Sequence, residues 1–205
     1  MTPRLSGAML LRLGHSIVFT IFELWFGYFT SDRLGLNTQH SSYLLTLYGI
    51  VYSLVQATAI RTLVHKYQET KILAVVLHLL AITYGVAYFS NSTFMFAFVL
   101  IPLGILSGVS NTLVSSLVSK LVSPERVGGA LGVSAALGSL SRIIAPTLTS
   151  HMSETISLNS PPVACAIISF CLVLLQGFVR SDAVEPTSKD PVKPEEQSTR
   201  SGTVH

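Results

Sequence analysis

Six long apolar runs, each close to the length a helix needs to cross a bilayer, constrain this chain more than any other feature. They cover Met9–Phe29, Tyr43–Ile60, Ile72–Tyr88, Phe94–Val118, Val127–Ser150 and Pro161–Val179. A helix rises about 1.5 Å per residue, so a hydrocarbon core of about 30 Å takes about 20 residues. Backbone inside lipid must satisfy its own hydrogen bonds, which leaves helices or the strands of a closed barrel. The strict alternation of barrel strands is absent. The expected fold is an all-α membrane protein with six transmembrane helices forming one bundle over residues 9–179. Residues 1–8 are a short cytoplasmic segment. Residues 180–205 are rich in Pro, Glu, Lys, Ser and Thr with almost no large apolar side chain, and read as a disordered cytoplasmic tail.

Charge decides the orientation. Only 11% of the residues are charged, against about a quarter in a soluble domain. Six crossings put both ends on one side. If that side is the cytoplasm, Arg4, Arg61, Lys66, Lys71, Lys120, Arg126, Arg180, Lys189, Lys193 and Arg200 lie inside, and only Arg33 lies outside. This is the positive-inside pattern. It accounts for the net charge of +3, so no nucleic-acid partner is expected. A secretory signal does not fit the first run, which is too long, carries Glu23 and lacks a small-x-small cleavage site. Asn91-Ser92-Thr93 matches a glycosylation acceptor on the outer side, but its loop is so short that it is expected to stay unmodified.

Ionised side chains inside a membrane helix are costly and mark pathways. At about 100° per residue, Ser16 and Glu23 fall within about 40° of Arg12, and His15 about 60° to the other side. Phe19 and Phe26 share that face, which reads as one wall of a wet cavity. Arg12 is near the inner end, where it either lines the cavity or reaches the headgroups. On the fifth run, Gly128, Gly132, Ala135, Ser139, Arg142 and Pro146 form a second stripe, whose small residues favour close helix packing in lipid. Glu23 and Arg142 both sit about 21 Å from the inner face, a depth that permits an ion pair. On the fourth run, Gly104 and Gly108 make a GxxxG pattern beside Asn111 and Ser115. Gln56 aligns with Gly49 and Ser53 on the second run, with Tyr52 beside them. Asn111 and Gln56 either contact a solute or tie helices together. His78 reads as a satisfied histidine without a ligand. Cys165 and Cys171 point about 120° apart and read as packing residues.

Nothing points to catalysis. GxSxG, HExxH, P-loop and GxGxxG motifs are absent, no aspartate occurs in any run, and the histidines lack metal-ligand spacing. No enzyme activity, cofactor or metal is expected.

Two stretches carry a family resemblance. One is Gly49-Ile-Val-Tyr-Ser-Leu-Val-Gln56 followed by Arg61-Thr-Leu-Val-His-Lys66. The other runs from Ser123-Pro-Glu-Arg-Val-Gly128 through Leu131-Gly-Val-Ser134 to Leu137-Gly-Ser-Leu-Ser-Arg142 and Pro146. The chain resembles the C-terminal six-helix half of a major facilitator superfamily transporter, closest to the drug:proton antiporter and tetracycline-resistance-like branch. Ala145 stands where relatives often have Gly before the proline, and the second–third loop lacks the full Gly-x-x-x-Asp-Arg form. The resemblance implies a secondary transporter for a small organic solute working by alternating access. The first and fourth helices would line the cavity, the second and fifth would meet the other bundle, and the third and sixth would face lipid. Glu23 would be the titrating group, and Arg142 its counter-charge or an anchor for an anionic substrate. Asn111, Gln56, His15 and Arg12 would complete the solute and proton pathway. Only one bundle is present, so the expected partners are the bilayer, a small solute, protons, and a second six-helix half or full-length relative. A non-transporting, truncated membrane protein is the alternative.

Overall fold

A computed structural model of the chain describes residues 3–63, 69–155 and 160–181. The expected disordered tail lies outside the described residues beyond Ser181, and the basic stretch ending at Lys66 falls partly outside. Six helices run up and down: α1 (Pro3–Tyr28), α2 (Thr38–Leu63), α3 (Glu69–Tyr88), α4 (Thr93–Lys120), α5 (Val127–Thr155) and α6 (Ser160–Ser181). No strand occurs among the described residues.

Among the described residues, five helices are long and apolar enough to cross a membrane, and α2 is the exception. It has the length, 26 residues, but its sequence is more polar. Three of its hydroxyls are satisfied internally: Ser42, Thr46 and Thr58 donate to carbonyls one turn back. Such back-bonding lets hydroxyls sit in a membrane helix.

Local chemistry sets the ends. After α1 the chain widens into a π-helical turn, Phe29–Arg33. Thr30 donates to the carbonyl of Phe26 there. Gly35 then turns the chain with φ of 61°, a left-handed geometry that glycine adopts without steric cost. Ser92 caps α4, its hydroxyl accepting from the amide of Met95 at 3.3 Å. The Pro124–Arg126 3-10 turn leads into α5; proline suits a first helical position because it has no amide to satisfy.

The packing has an internal symmetry. α1 packs on α5 and α6, α4 packs on α2 and α3, α3 packs on α6, and α1 meets α4. These six pairs map onto one another when each helix is exchanged with the one three places along the chain, and α5 has smaller contacts with α4 and α6 besides. An odd number of crossings separates the two triplets, so they run in opposite directions, as in an inverted repeat.

The core is built around α1 and α4. Toward the end that carries the α1–α2 connection, Phe22, Trp25, Phe26, Phe29, Tyr48, Tyr84 and Phe96 are buried together. Phe96 lies 4.7 Å from Phe29, 5.7 Å from Phe26 and 5.8 Å from Trp25, centroid to centroid. Phe26 thus belongs to this core, which corrects its expected place on the cavity wall: α4 closes against α1 at that level. Nearer the opposite end Leu11, Leu73, Leu77, Val109, Leu113 and Leu172 form a second cluster. Gly104 and Gly108 let α4 touch α2. A Cβ on Gly108 would stand 3.0 Å from the carbonyl oxygen of Tyr52, and one on Gly104 3.1 Å from Val51 Cγ1.

The N-terminal end of α3 is joined by polar contacts to the C-terminal parts of α4 and α6. Lys120 pairs with Glu69 at 2.6 Å, Ser116 donates to the same carboxylate, and Gln176 donates to the carbonyl of Thr70. At the opposite end Arg33 donates to Asn91 at 2.8 Å. The outward faces of α3 and α6 are apolar: Val75, Ile82, Val86, Ile167, Phe170 and Leu174 are exposed. His78 on the same side bonds the carbonyl of Ala74 at 2.9 Å and meets Phe170 edge-on.

Candidate functional site

The polar stripe of α1 opens onto a cavity of about 330 Å³ between α1, α4 and α5, with α2 at one side. Arg12, His15, Ser16, Phe19 and Thr20 line it from α1. Tyr52 faces it from α2, Asn111 from α4, and Ala135, Gly138, Ser139 and Arg142 from α5. The volume is at the small end of small-molecule sites. Phe19 and Tyr52 stand 5.8 Å apart, centroid to centroid, and give it an aromatic side.

Buried polar groups inside a membrane helix bundle must find partners, and those on α1 find them on α4. Arg12 Nη1 donates to Asn111 Oδ1 at 2.6 Å and to Ser115 Oγ at 3.4 Å. Of the two readings for Arg12, its guanidinium turns into the bundle and not toward the headgroups. Its Nε–H is buried with no partner. His15 is buried, and its Nε2 shares a 2.6 Å hydrogen bond with Ser110 Oγ. The spacing of Ser107, Ser110 and Asn111 puts three polar residues of α4 on the side facing α1. That spacing is the signal by which Ser110, unnoticed in the sequence, could have been found.

The structure brings together four of the six expected pathway residues: Arg12, His15, Asn111 and Arg142 line one cavity. Glu23 and Gln56 stand outside it. Gln56 is half-buried one turn along α2 from Tyr52. Glu23 is exposed on α1. Glu23 and Arg142 form no ion pair, although Arg142 is the opposite charge whose field reaches Glu23. Helix register gives the reason. Gly138 faces Ser16, with 4.0 Å between a Cβ there and the hydroxyl. Because α1 and α5 run parallel, Arg142 stands level with Thr20, and Glu23 lies about 4.5 Å further out.

The expected packing residues divide the same way. Gly104 and Gly108 are spent inside the bundle against α2, whereas Gly128 and Gly132 have nothing within 4 Å. Pro146 lies inside α5 and is exposed. Along α5, Ala135 and Ser139 leave room for the cavity, and Gly138 faces Ser16 of α1 at its edge. Among the described residues no group of three metal-ligating side chains occurs.

The comparisons with known proteins agree with this architecture. The sequence profile of the Major Facilitator Superfamily matches residues 5–204. Solute carrier family 22 member 18 of Rattus norvegicus is 27% identical over 149 residues, 71% of this chain and 35% of that protein. The protein of the same name from Mus musculus is 27% identical over 147 residues, 71% of this chain and 36% of its own length. The chain thus aligns with about a third of the length of these curated relatives.

Proposed function

The chain belongs to the Major Facilitator Superfamily, and on that premise we propose that it is a six-helix bundle, of the C-terminal kind, from a secondary transporter of a small organic solute. The observation that carries this reading is the cavity on the polar stripe of α1, held open by small residues of α5 and walled by side chains from four helices. An integral, multi-pass helical protein with two guanidiniums on one open-sided cavity at membrane depth is suited to pass a solute across a bilayer. Alternating access needs a second bundle to rock against. The side of α5 that carries Gly128, Gly129 and Gly132 is uncovered and suits that contact. The same uncovered face favours the second reading, a non-transporting chain that associates with another half or a full-length relative. Uptake by proteoliposomes separates the two. Solute should accumulate when this chain is reconstituted, alone or with a second half. Association without uptake under any such pairing would leave only the second reading.

Glu23 is the proposed proton-coupling group, as in the drug:proton antiporter branch. It sits one turn outward from the level of Arg142, so protonation would remove the charge that faces the guanidinium and shift the balance between two conformations. Glu23→Gln is expected to make solute uptake independent of external pH while the folded chain is still recovered. A pH profile unchanged by the substitution would remove Glu23 from the mechanism.

A further inference from the structure

The chemistry of the cavity lining selects its ligand by charge. Two guanidiniums, Arg12 and Arg142, face it, and no carboxylate does. The acid closest in register is Glu23, outside the lining. His15, Tyr52, Ser16, Thr20, Ser139 and Asn111 supply the remaining polar groups. Even with Glu23 ionised, the three charges leave a surplus of one positive. A surplus charge at membrane depth is costly until it is neutralised. Among the described residues Arg142 has no hydrogen-bond or ion-pair partner. Arg12 commits Nη1 to Asn111 and Ser115 but leaves Nε–H buried and without a partner. Guanidinium donors with capacity to spare are what a carboxylate satisfies best. The apolar rings of Phe19 and Tyr52 stand beside them.

We propose that this cavity is the seat of a small organic monocarboxylate. Its carboxylate is held by Arg142 and Arg12, and its apolar body lies against Phe19 and Tyr52. This deepens the transport reading and rests on it only for what the seat is used for. Asn111 is a positioning residue: by holding Nη1 it fixes the plane of the Arg12 guanidinium toward the cavity. One net negative charge and a compact body match both the charge surplus and the volume of about 330 Å³.

The test uses the full chain in detergent or nanodiscs, with benzoate, benzylammonium and benzamide as probes of one shape and three charges. Thermal unfolding monitored by intrinsic fluorescence reads binding, because a ligand of the folded state raises the midpoint with concentration. Benzoate is expected to raise it saturably, and the other two are not. R142Q should weaken benzoate binding by about tenfold or more, the size of one charge-assisted hydrogen bond. R12K, which keeps the charge but loses the fork, should also weaken it. R33Q, at the outer end, should leave it unchanged. Arg142 holds no element in place, so R142Q alone decides the matter whatever the stability of R12K. Stabilisation by benzylammonium equal to that by benzoate, no saturable benzoate effect, or an R142Q affinity within about twofold of the unaltered chain would overturn the proposal. Benzoate binding without benzoate flux in proteoliposomes reconstituted with a second half would sink the transport reading and keep the seat. Flux of a cationic or neutral solute without benzoate binding would do the reverse.

Discussion

Phe96→Ala is expected to destabilise the bundle by about 3–5 kcal/mol, the range for emptying a buried aromatic site. Phe96 is fully buried and packs on Trp25 and Phe26 of α1 and on Phe29 of the turn that follows it. In lipid the acyl chains are as apolar as the core, so burial itself contributes little. What holds this region is dispersion among tightly fitted rings, and a void there forfeits those contacts outright. Two rings of α1 and one of the turn after it rest on this one ring of α4, so the site cannot close around alanine without moving a helix. Phe94→Ala, two residues earlier on the same helix, is the control. Phe94 is 82% exposed, and its loss should cost less than about 0.5 kcal/mol. The readout is built in: the sole tryptophan of the chain, Trp25, lies in the cluster. Its fluorescence during denaturant titration of the detergent-solubilised chain should report an early transition for Phe96→Ala and an unchanged one for Phe94→Ala.

Gly108→Leu should separate α2 from α4. A Cβ at that position already stands 3.0 Å from the Tyr52 carbonyl oxygen and 3.4 Å from Val55, and backbone cannot swing aside as a side-chain tip can. Overpacking costs about 1–3 kcal/mol in a core that can adjust. Here the cost falls at the upper end or beyond, because the whole helix must move. The displaced helix carries Tyr52, so the cavity should widen and lose its aromatic side. Gly132→Leu tests the contrast. Nothing lies within 4 Å of it, so the isolated chain should keep its midpoint. An assembly in which α5 meets a second bundle should lose the contact. Thermal midpoints of the two variants, with pull-down by a second half, would read both effects. Equal destabilisation of the isolated chain by both would contradict the different environments of the two glycines.

The number and extent of the helices were legible in the sequence because lipid tolerates so few charges: the runs between polar connectors fall within the helices. The second run was the weakest, and α2 remains the least apolar helix, its hydroxyls tolerated through bonds to its own backbone. The stripe on α1 was legible because helical geometry alone aligns Arg12, Ser16 and Phe19. Other features depend on which helix lies opposite, and a single chain does not encode that in its periodicity. Phe26 shares the azimuth of the stripe, yet it meets Phe96 because α4 closes over α1 at that height. Glu23 and Arg142 share a depth counted from each helix start, yet the register set by Gly138 against Ser16 leaves them about a turn apart. Two glycine patterns looked alike in the sequence. One is consumed against α2, and the other is left uncovered.

Solvent access to the α1 stripe tests the account most directly. Single cysteines are placed in a chain lacking Cys165 and Cys171, reconstituted in lipid and treated with a charged, water-soluble thiol reagent. Ser16→Cys and Ser139→Cys are expected to be modified rapidly, because they face a water-filled cavity, whereas Ile82→Cys and Phe170→Cys should resist, because they face acyl chains. Rapid modification at positions 82 and 170 together with protection at 16 and 139 would place the polar stripe against lipid and contradict the account.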